Sequence, residues 1–419
     1  MGMKRRLLNS VATAIVSIFG VATLLSACSV DNDEVKIDLG SYEWAVFMSE
    51  YRDTSFIPRA SNGYVVLVRA DGSYGLVEHA GMDSGEISWT KHGINFADAT
   101  SDHWITEQDN SAIEQERVGL MDGLVTLSDG VTRVGVYNGG FQENGYREEV
   151  VVARPESSEH HKLNTAGFYP LISACGDDVY GAYAMTPEDG NTRFIFDQIV
   201  DEGAVVHTTV TTDSLPFSEV GFYTNDAPCA GDRIYFLGKF LIYDGVHLPE
   251  DETLSSHMRH ETDGHKHAFA LVVVDTHTGS LDWLPLITDN GENLELSLED
   301  VEYSALDANS LDGSGNVVWF GGNGVLYRTE VTTGKTSVLN DDLRSGSHDG
   351  VPDLLYHFTS DADTATVLVE DNQDPLTMPR IVTFDKTTGE MLKSVQINGL
   401  KDEVPESMIL RDIAQKPTK

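Results

Sequence analysis

Four histidines fall within a single short stretch, His257, His260, His265 and His267, with Asp251, Glu252, Glu261 and Asp263 among them. Imidazoles beside carboxylates are the ligand set of Zn²⁺, Ni²⁺ or Cu²⁺, and adjacent acids orient the rings. His260-Glu261 followed by His265 approaches the helical two-histidine zinc pattern, but the spacing is one residue too long. Asp263-Gly264 would also break the helix that places both ligands on one face. Segment 248–267 therefore reads as an insertion able to hold Zn²⁺ or Ni²⁺ at the surface, or else as a solvated loop with unpaired histidines.

The remaining chemistry is sparse. Gly334-Lys335-Thr336 ends like a phosphate loop, yet Thr329 stands where the first glycine is needed, and the segment reads as a β-hairpin. Asp307, Asn309, Asp312 and Gly313 are one residue out of register for a calcium loop. There is no Gly-Xaa-Ser-Xaa-Gly elbow. With 67 acidic residues, carboxylate pairs for glycoside cleavage cannot be told from background. No catalytic residue and no resident cofactor can be named on this basis.

Cys28 and the net charge both bear on where the protein resides. Lys4, Arg5 and Arg6 precede an apolar run, Leu7 to Leu25, that closes on Leu25-Ser26-Ala27-Cys28. That is a secretory signal ending in small residues. It resembles the lipobox of bacterial lipoproteins at every position, which implies cleavage after residue 27, lipidation of Cys28 and attachment to the membrane by the lipid. Ser29 follows, so the aspartate associated with inner-membrane retention in two-membrane cells is absent. Loss of the leader removes three cations and no carboxylate, moving the formal charge from −39 to −42. Such a body repels phosphate backbones, so no nucleic-acid partner is expected.

Only Cys175 and Cys229 remain for the mature chain, in the matching contexts Cys175-Gly176-Asp177 and Cys229-Ala230-Gly231-Asp232. An oxidising compartment permits a disulfide between them. Equivalent points on neighbouring repeats meet only near a common axis, so the bond needs an inner location; two buried thiols are the alternative.

The elements that must position these groups are β-strands. Ala268 to Leu286 reads strand, hairpin, strand, with Asp275-Thr276-His277-Thr278-Gly279 as the turn. The unit returns around Thr333-Gly334 and Thr388-Gly389, in two equal steps of 55 residues from Thr278. A period of that size in a β-rich chain marks a propeller. Tyr64, Leu124, Tyr180, Tyr235, Val318 and Leu368 mark corresponding strands. They predict an all-β fold, one propeller of six blades, with seven as the alternative, built of four-stranded antiparallel sheets. The segment around Ile113 to Leu120 is open between strand and helical turn. Whether Val404 to Ala414 adds a strand that closes the ring on Tyr42 to Met48 is left open too. The expected organisation is a signal peptide at 1–27, a polar tether at 28–41, the propeller at 42–414 and a tail at 415–419.

Asp275, Thr278, Gly279 and Trp283 are similar to the repeat of quinoprotein-type propellers, although Glu330 replaces the aspartate in the second unit and Lys393 the tryptophan in the third. The resemblance implies a packing device shared by enzymes and non-enzymes, not a quinone. The expected function is a lipid-anchored, non-enzymatic module on the outer face of the membrane, binding protein, peptide or glycan through loops at one mouth of the ring. Polysaccharide hydrolysis or lysis is the rival and requires convergent carboxylates or a His/acid pair in the axial cleft. Metal capture by the four histidines is the third reading.

Overall fold

The computed structural model describes residues 37–50, 62–118, 120–143, 145–185, 193–214, 221–222, 226–242, 266–296, 304–348 and 351–418. Among the described residues of 36–419 the strands form eight antiparallel sheets, seven arranged as the blades of a β-propeller and one a two-stranded ribbon of Ser347–His348 and Val351–Pro352. Blade 1 takes three strands from the N-terminal end of the body, Trp44–Glu50, Gly63–Val68 and Tyr74–His79, and its first strand, Met408–Gln415, from the C-terminal end. The two ends pair antiparallel, with Ala45 opposite Ala414 and Val46 opposite Ile413. The ring is thus closed by the C-terminal strand, which leaves no open edge at the join.

Blade 2 holds Ile87–Thr90, Gly93–Ala97, Ser101–Ile105 and Asn110–Glu114, and blade 3 holds Met121–Thr126, Arg133–Gln142, Gly145–Arg154 and Ser157–Thr165. Blade 4 runs from Leu171–Cys175 to Ala204–Ser214. Blade 5 begins with the short strands Gly221–Phe222 and Cys229–Ala230 and continues through Arg233–Ile242, Lys266–Asp275 and Leu281–Pro285. In blade 6 the strands Asn316–Phe320, Leu326–Glu330 and Thr336–Asn340 are flanked on the inside by a segment tied to them at Ala305–Phe320 and Leu311–Val317. Blade 7 holds Leu354–Ser360, Thr364–Asp371, Arg380–Asp385 and Met391–Gln396.

Seven blades correct the leading expectation of six. The six marker residues do not occupy one strand position: Tyr64 lies in the third strand of blade 1, Leu124 in the first of blade 3, and Tyr180 in the second of blade 4. The interval from Tyr64 to Leu124 therefore passes over an entire blade. Blade 2 escapes notice because its strands have four or five residues and its outer strand alternates exposed and half-buried, so no long apolar run announces it. The stretch around Ile113 is the end of that outer strand, and Ile87–Thr90 opens blade 2.

Both faces of each sheet are covered, which is why the second and third strands read as continuous apolar runs. Val317, Val318, Trp319 and Phe320 are all at most 1 % exposed. The apolar clusters sit at the seams between blades, as between blades 6 and 7, where Phe320, Tyr356 and Phe358 meet. The Thr-Gly hairpins are part of this packing. Gly334 and Gly389 have φ of 72° and 75°, and an added Cβ would lie 2.2 Å from the Pro285 carbonyl and 2.3 Å from the Leu339 carbonyl, on the outer strand of the preceding blade. Glycine is needed there for its conformation and for the close approach. Asp385 Oδ1 accepts from Thr387 N, Thr388 N and Thr388 Oγ1 at 2.7–2.9 Å, and Asp275 does the same at its own turn.

Of the N-terminal tether, residues 37–41 are described. Leu39 is buried against blades 1 and 2, and its carbonyl accepts from Lys416 Nζ at 2.9 Å. The signal peptide 1–27 and Cys28 lie outside the described residues.

Candidate functional site

The first strands of the blades face a common axis, and an axial cavity of about 820 Å³ opens between those of blades 1, 2, 3, 6 and 7. A first strand has one edge bonded to its own sheet and the other turned toward the next blade, so its peptide groups need partners from across the seam. Side chains supply them. Asp412 Oδ2 of blade 1 accepts from Ile87 N of blade 2 at 2.8 Å, and Glu86 Oε2 at the start of blade 2 accepts from Leu124 N of blade 3 at 2.6 Å. Asp122 of blade 3 accepts from the Tyr169 backbone ahead of blade 4. Ser173 Oγ donates to the Ala227 carbonyl at 2.6 Å across the seam to blade 5. Asp226 binds the Ala308 backbone in blade 6. Asp307 Oδ2 then accepts from Ser360 N of blade 7 at 2.5 Å, and its Oδ1 accepts from Ser360 Oγ at 2.6 Å. His357 closes the circuit on the backbone of Arg411 in blade 1. Every seam thus has a clasp by an inner side chain, and five of the seven clasps are carboxylates.

The clasps crowd negative charge on the axis. Burial, with Asp307 and Asp412 as like-charged neighbours, drives the Asp226 carboxyl well above its ordinary range. Asp412 is pushed up to about 7, first by burial and then by Asp307, against the Ile87 and Ile413 amides and His357. Asp307 is raised by burial although Ser360, Lys386 and Ser310 oppose it. His357 behaves oppositely. Burial works against its charge, but Glu370 Oε1 at 3.2 Å from Nε2, Asp412 and the Arg411 backbone outweigh it and lift the imidazole above its usual value. Glu370 is 2 % exposed, and its Oε2 has no hydrogen-bond partner. Away from the axis, Glu148 is buried against Asp122, and that burial and the like charge hold its proton up to about 10.

The cysteines lie at the inner end of one seam. Cys175 ends the first strand of blade 4, Cys229 begins the inner strand of blade 5, and the two are bonded with Cα atoms 5.5 Å apart. His257, His260 and His265 lie outside the described residues, as does the side chain of His267. Among the described residues no group of three or more His, Cys, Asp or Glu is placed to hold a metal ion, and no helix is long and apolar enough to cross a membrane. Apart from Asp307, which the sequence offers only within a calcium-loop pattern out of register, the acids that line the axis carry no motif in the sequence. One signal was available in principle: Glu86, Asp122, Asp226, Asp307 and Asp412 each stand in or beside the first strand of a blade. Without the blade register that position could not be distinguished.

The family match covers three strands of blade 1, blades 2 to 4 and the opening of blade 5. Residues 42–238 match the model of the YycP beta-propeller domain. No curated protein matches the chain. Similar solved structures include the beta-propeller domain of the Trilobed protease from Pyrococcus furiosus, described as having an open velcro topology. It is 13 % identical over 86 % of this chain and 96 % of that one, with a TM-score of 0.47. A hypothetical selenium-binding protein from Sulfolobus tokodaii is 10 % identical over 89 % and 93 %, with a TM-score of 0.47. Acylaminoacyl peptidase from Pyrococcus horikoshii is 13 % identical with the same score, and 88 % of this chain spans 54 % of that one.

Proposed function

We propose that the protein is a lipid-anchored extracytoplasmic propeller that binds a ligand at its axial cavity without transforming it. The lipobox at Leu25 to Cys28 supports the anchor, and the wall of the cavity supports binding. The observation that carries the reading is that Glu86, Asp307 and Asp412 are already engaged as clasps. Asp307 spends both oxygens on Ser360, and Asp412 and Glu86 each hold a peptide N–H of the next blade. Groups fixed as clasps form a rigid polar wall suited to recognition. The ligand is a peptide, a protein segment or a glycan entering at one mouth.

Two measurements test this. Cys28→Ala should move the protein from the membrane fraction to the soluble one; retention in the membrane would remove the lipid anchor. A panel of peptides and oligosaccharides should contain members that raise the melting temperature by mass action and are recovered unchanged. A panel without any such member contradicts the binding role.

A second reading, an extracytoplasmic polysaccharide hydrolase or lyase, is favoured by one feature: His357, Glu370 and Asp412 share the cleft, and Asp412 is poised near neutrality, where a general acid or base works best. Cleavage of polysaccharide that is lost in His357→Ala would establish it. The histidines at 257, 260, 265 and 267 are proposed as a Zn²⁺ or Ni²⁺ site at the surface, checked by calorimetric titration of the protein and of its fourfold alanine variant.

A further inference from the structure

Both ends of the body emerge at one mouth of the ring. The closing strand Met408–Gln415 runs to Gln415 opposite Trp44, where the second strand of blade 1 begins. Beyond it, Lys416 N donates to the Glu43 carbonyl and Lys416 Nζ to the Leu39 carbonyl, each at 2.9 Å, so the two ends of the body lie side by side. Leu39 is buried, and Pro417 and Thr418 line the axial cavity. The same mouth carries the tight turns between first and second strands. Thr90 Oγ1, at the turn of blade 2, donates to the Gly130 carbonyl in the turn of blade 3 at 2.8 Å. Ser128 N donates to the Gly176 carbonyl in blade 4, and Cys175 there is bonded to Cys229 of blade 5. Asp361, in the turn of blade 7, accepts from Gln415 Nε2 at 3.1 Å and from Thr418 Oγ1 at 3.2 Å. The opposite mouth is built from the longer connections that pass from blade to blade, 80–86, 166–170 and 397–407 among them. Its rim carries Phe141 and Phe168, 83 % and 47 % exposed, with ring centroids 4.8 and 6.0 Å from that of Tyr146.

We infer that a short tether holds the body with the mouth bearing its two ends toward the lipid bilayer, so that a partner from outside meets the opposite mouth. The inference rests on the lipid anchor at Cys28 proposed above and names the face of the ring that meets the lipid. It follows from reach. Residues 28–36 separate Cys28 from Ile37, and nine residues extend to at most about 32 Å. To carry the chain round to the other mouth, that length would have to cross the outer strands of a blade, spaced about 4.8 Å apart, and climb the seven residues of Trp44–Glu50, a path on the order of 40 Å. The tether is too short for that path. A lipid on Cys28 is thereby confined to the side of the body from which residue 37 leaves. Phe141 and Phe168 then face the aqueous space, where their exposed rings meet a macromolecule and not lipid.

Energy transfer from a single donor dye to acceptor-labelled lipid reads the orientation. The full-length lipidated protein is placed in phosphatidylcholine vesicles with the dye on Lys91→Cys, in the turn of blade 2, or on Glu143→Cys, beside Phe141; both positions are exposed. Cys175 and Cys229 are bonded to each other and Cys28 carries the lipid, so none of them takes the dye. Transfer from position 91 is expected to exceed that from position 143 by about twofold or more, because the two mouths are separated by the height of a strand, about 23 Å. Insertion of about twenty Gly and Ser residues between positions 36 and 37 should abolish the difference, because the longer tether reaches round the body. Equal transfer from both positions on the parent tether, or greater transfer from position 143, overturns the inference and leaves the anchor standing. A difference that survives the longer tether also overturns it, since reach would then not set the orientation. Protein recovered without lipid and free of the vesicles overturns the anchor and the inference together.

Discussion

Asp102 is a buried carboxylate shared by two buried guanidinium groups. Its carboxylate meets Arg133 across the seam between blades 2 and 3 and Arg117 Nη1 at 2.7 Å, and all three side chains are at most 1 % exposed. Arg117 also donates to Tyr137 at 2.6 Å, and Arg133 to the Phe96 carbonyl. Replacing one member of such a group leaves buried charge without a counterion. Asp102→Asn should lower unfolding stability by about 3–5 kcal/mol, measured by denaturant titration. Asp412 makes the opposite case. Its folded pKa of about 7 lies above the ordinary aspartate value of 3.8, so the stability it contributes is full below 3.8 and lost as pH rises through 7. Asp412→Asn keeps an acceptor for Ile87 and removes that loss. The variant should melt above the parent protein at pH 8, and the difference should vanish near pH 4.

Hairpins and seams decide how well the strands locate one another. Gly334→Ala forces a side chain into positive φ against the Pro285 carbonyl and should cost more than about 1 kcal/mol. Gly313→Ala, at a turn with open space around it, should be close to neutral. Comparison of the two melting temperatures checks the packing role of the Thr-Gly unit. That unit was legible in the sequence because its turn chemistry is local: an aspartate that accepts from the next residues, then a glycine. Strand identity was legible too wherever both faces are buried, as at Val317 to Phe320. The blade count was not, since the register of a strand within its blade depends on partners far away in sequence. The clasping acids were illegible for the same reason, being scattered among 67 acids and defined only by which peptide group the next blade presents. The cysteine pair could be placed at equivalent points of adjacent blades because its two contexts, Cys175-Gly176-Asp177 and Cys229-Ala230-Gly231-Asp232, differ by a single inserted residue.

At the scale of the whole molecule, the ring is held by a C-terminal strand, seven inner clasps and one covalent bond. The Cys175–Cys229 bond spans 54 residues, and loop-closure entropy assigns it about 4 kcal/mol. Replacement of both cysteines by serine should lower stability by up to that amount and leave the sheets intact by circular dichroism. The high negative charge surrounds the same ring, so salt should favour the compact state by screening self-repulsion. The central claim is that acids on the first strands clasp each blade to the next and so wall the axial cavity. Amide hydrogen exchange at Ile87 tests it most directly, because that N–H has Asp412 Oδ2 as its acceptor at 2.8 Å. In Asp412→Ala the Ile87 amide should lose protection by tenfold or more, while amides in the second strand of blade 2 keep theirs. Unchanged protection at Ile87 would contradict the clasp, and with it the account of how the cavity is built.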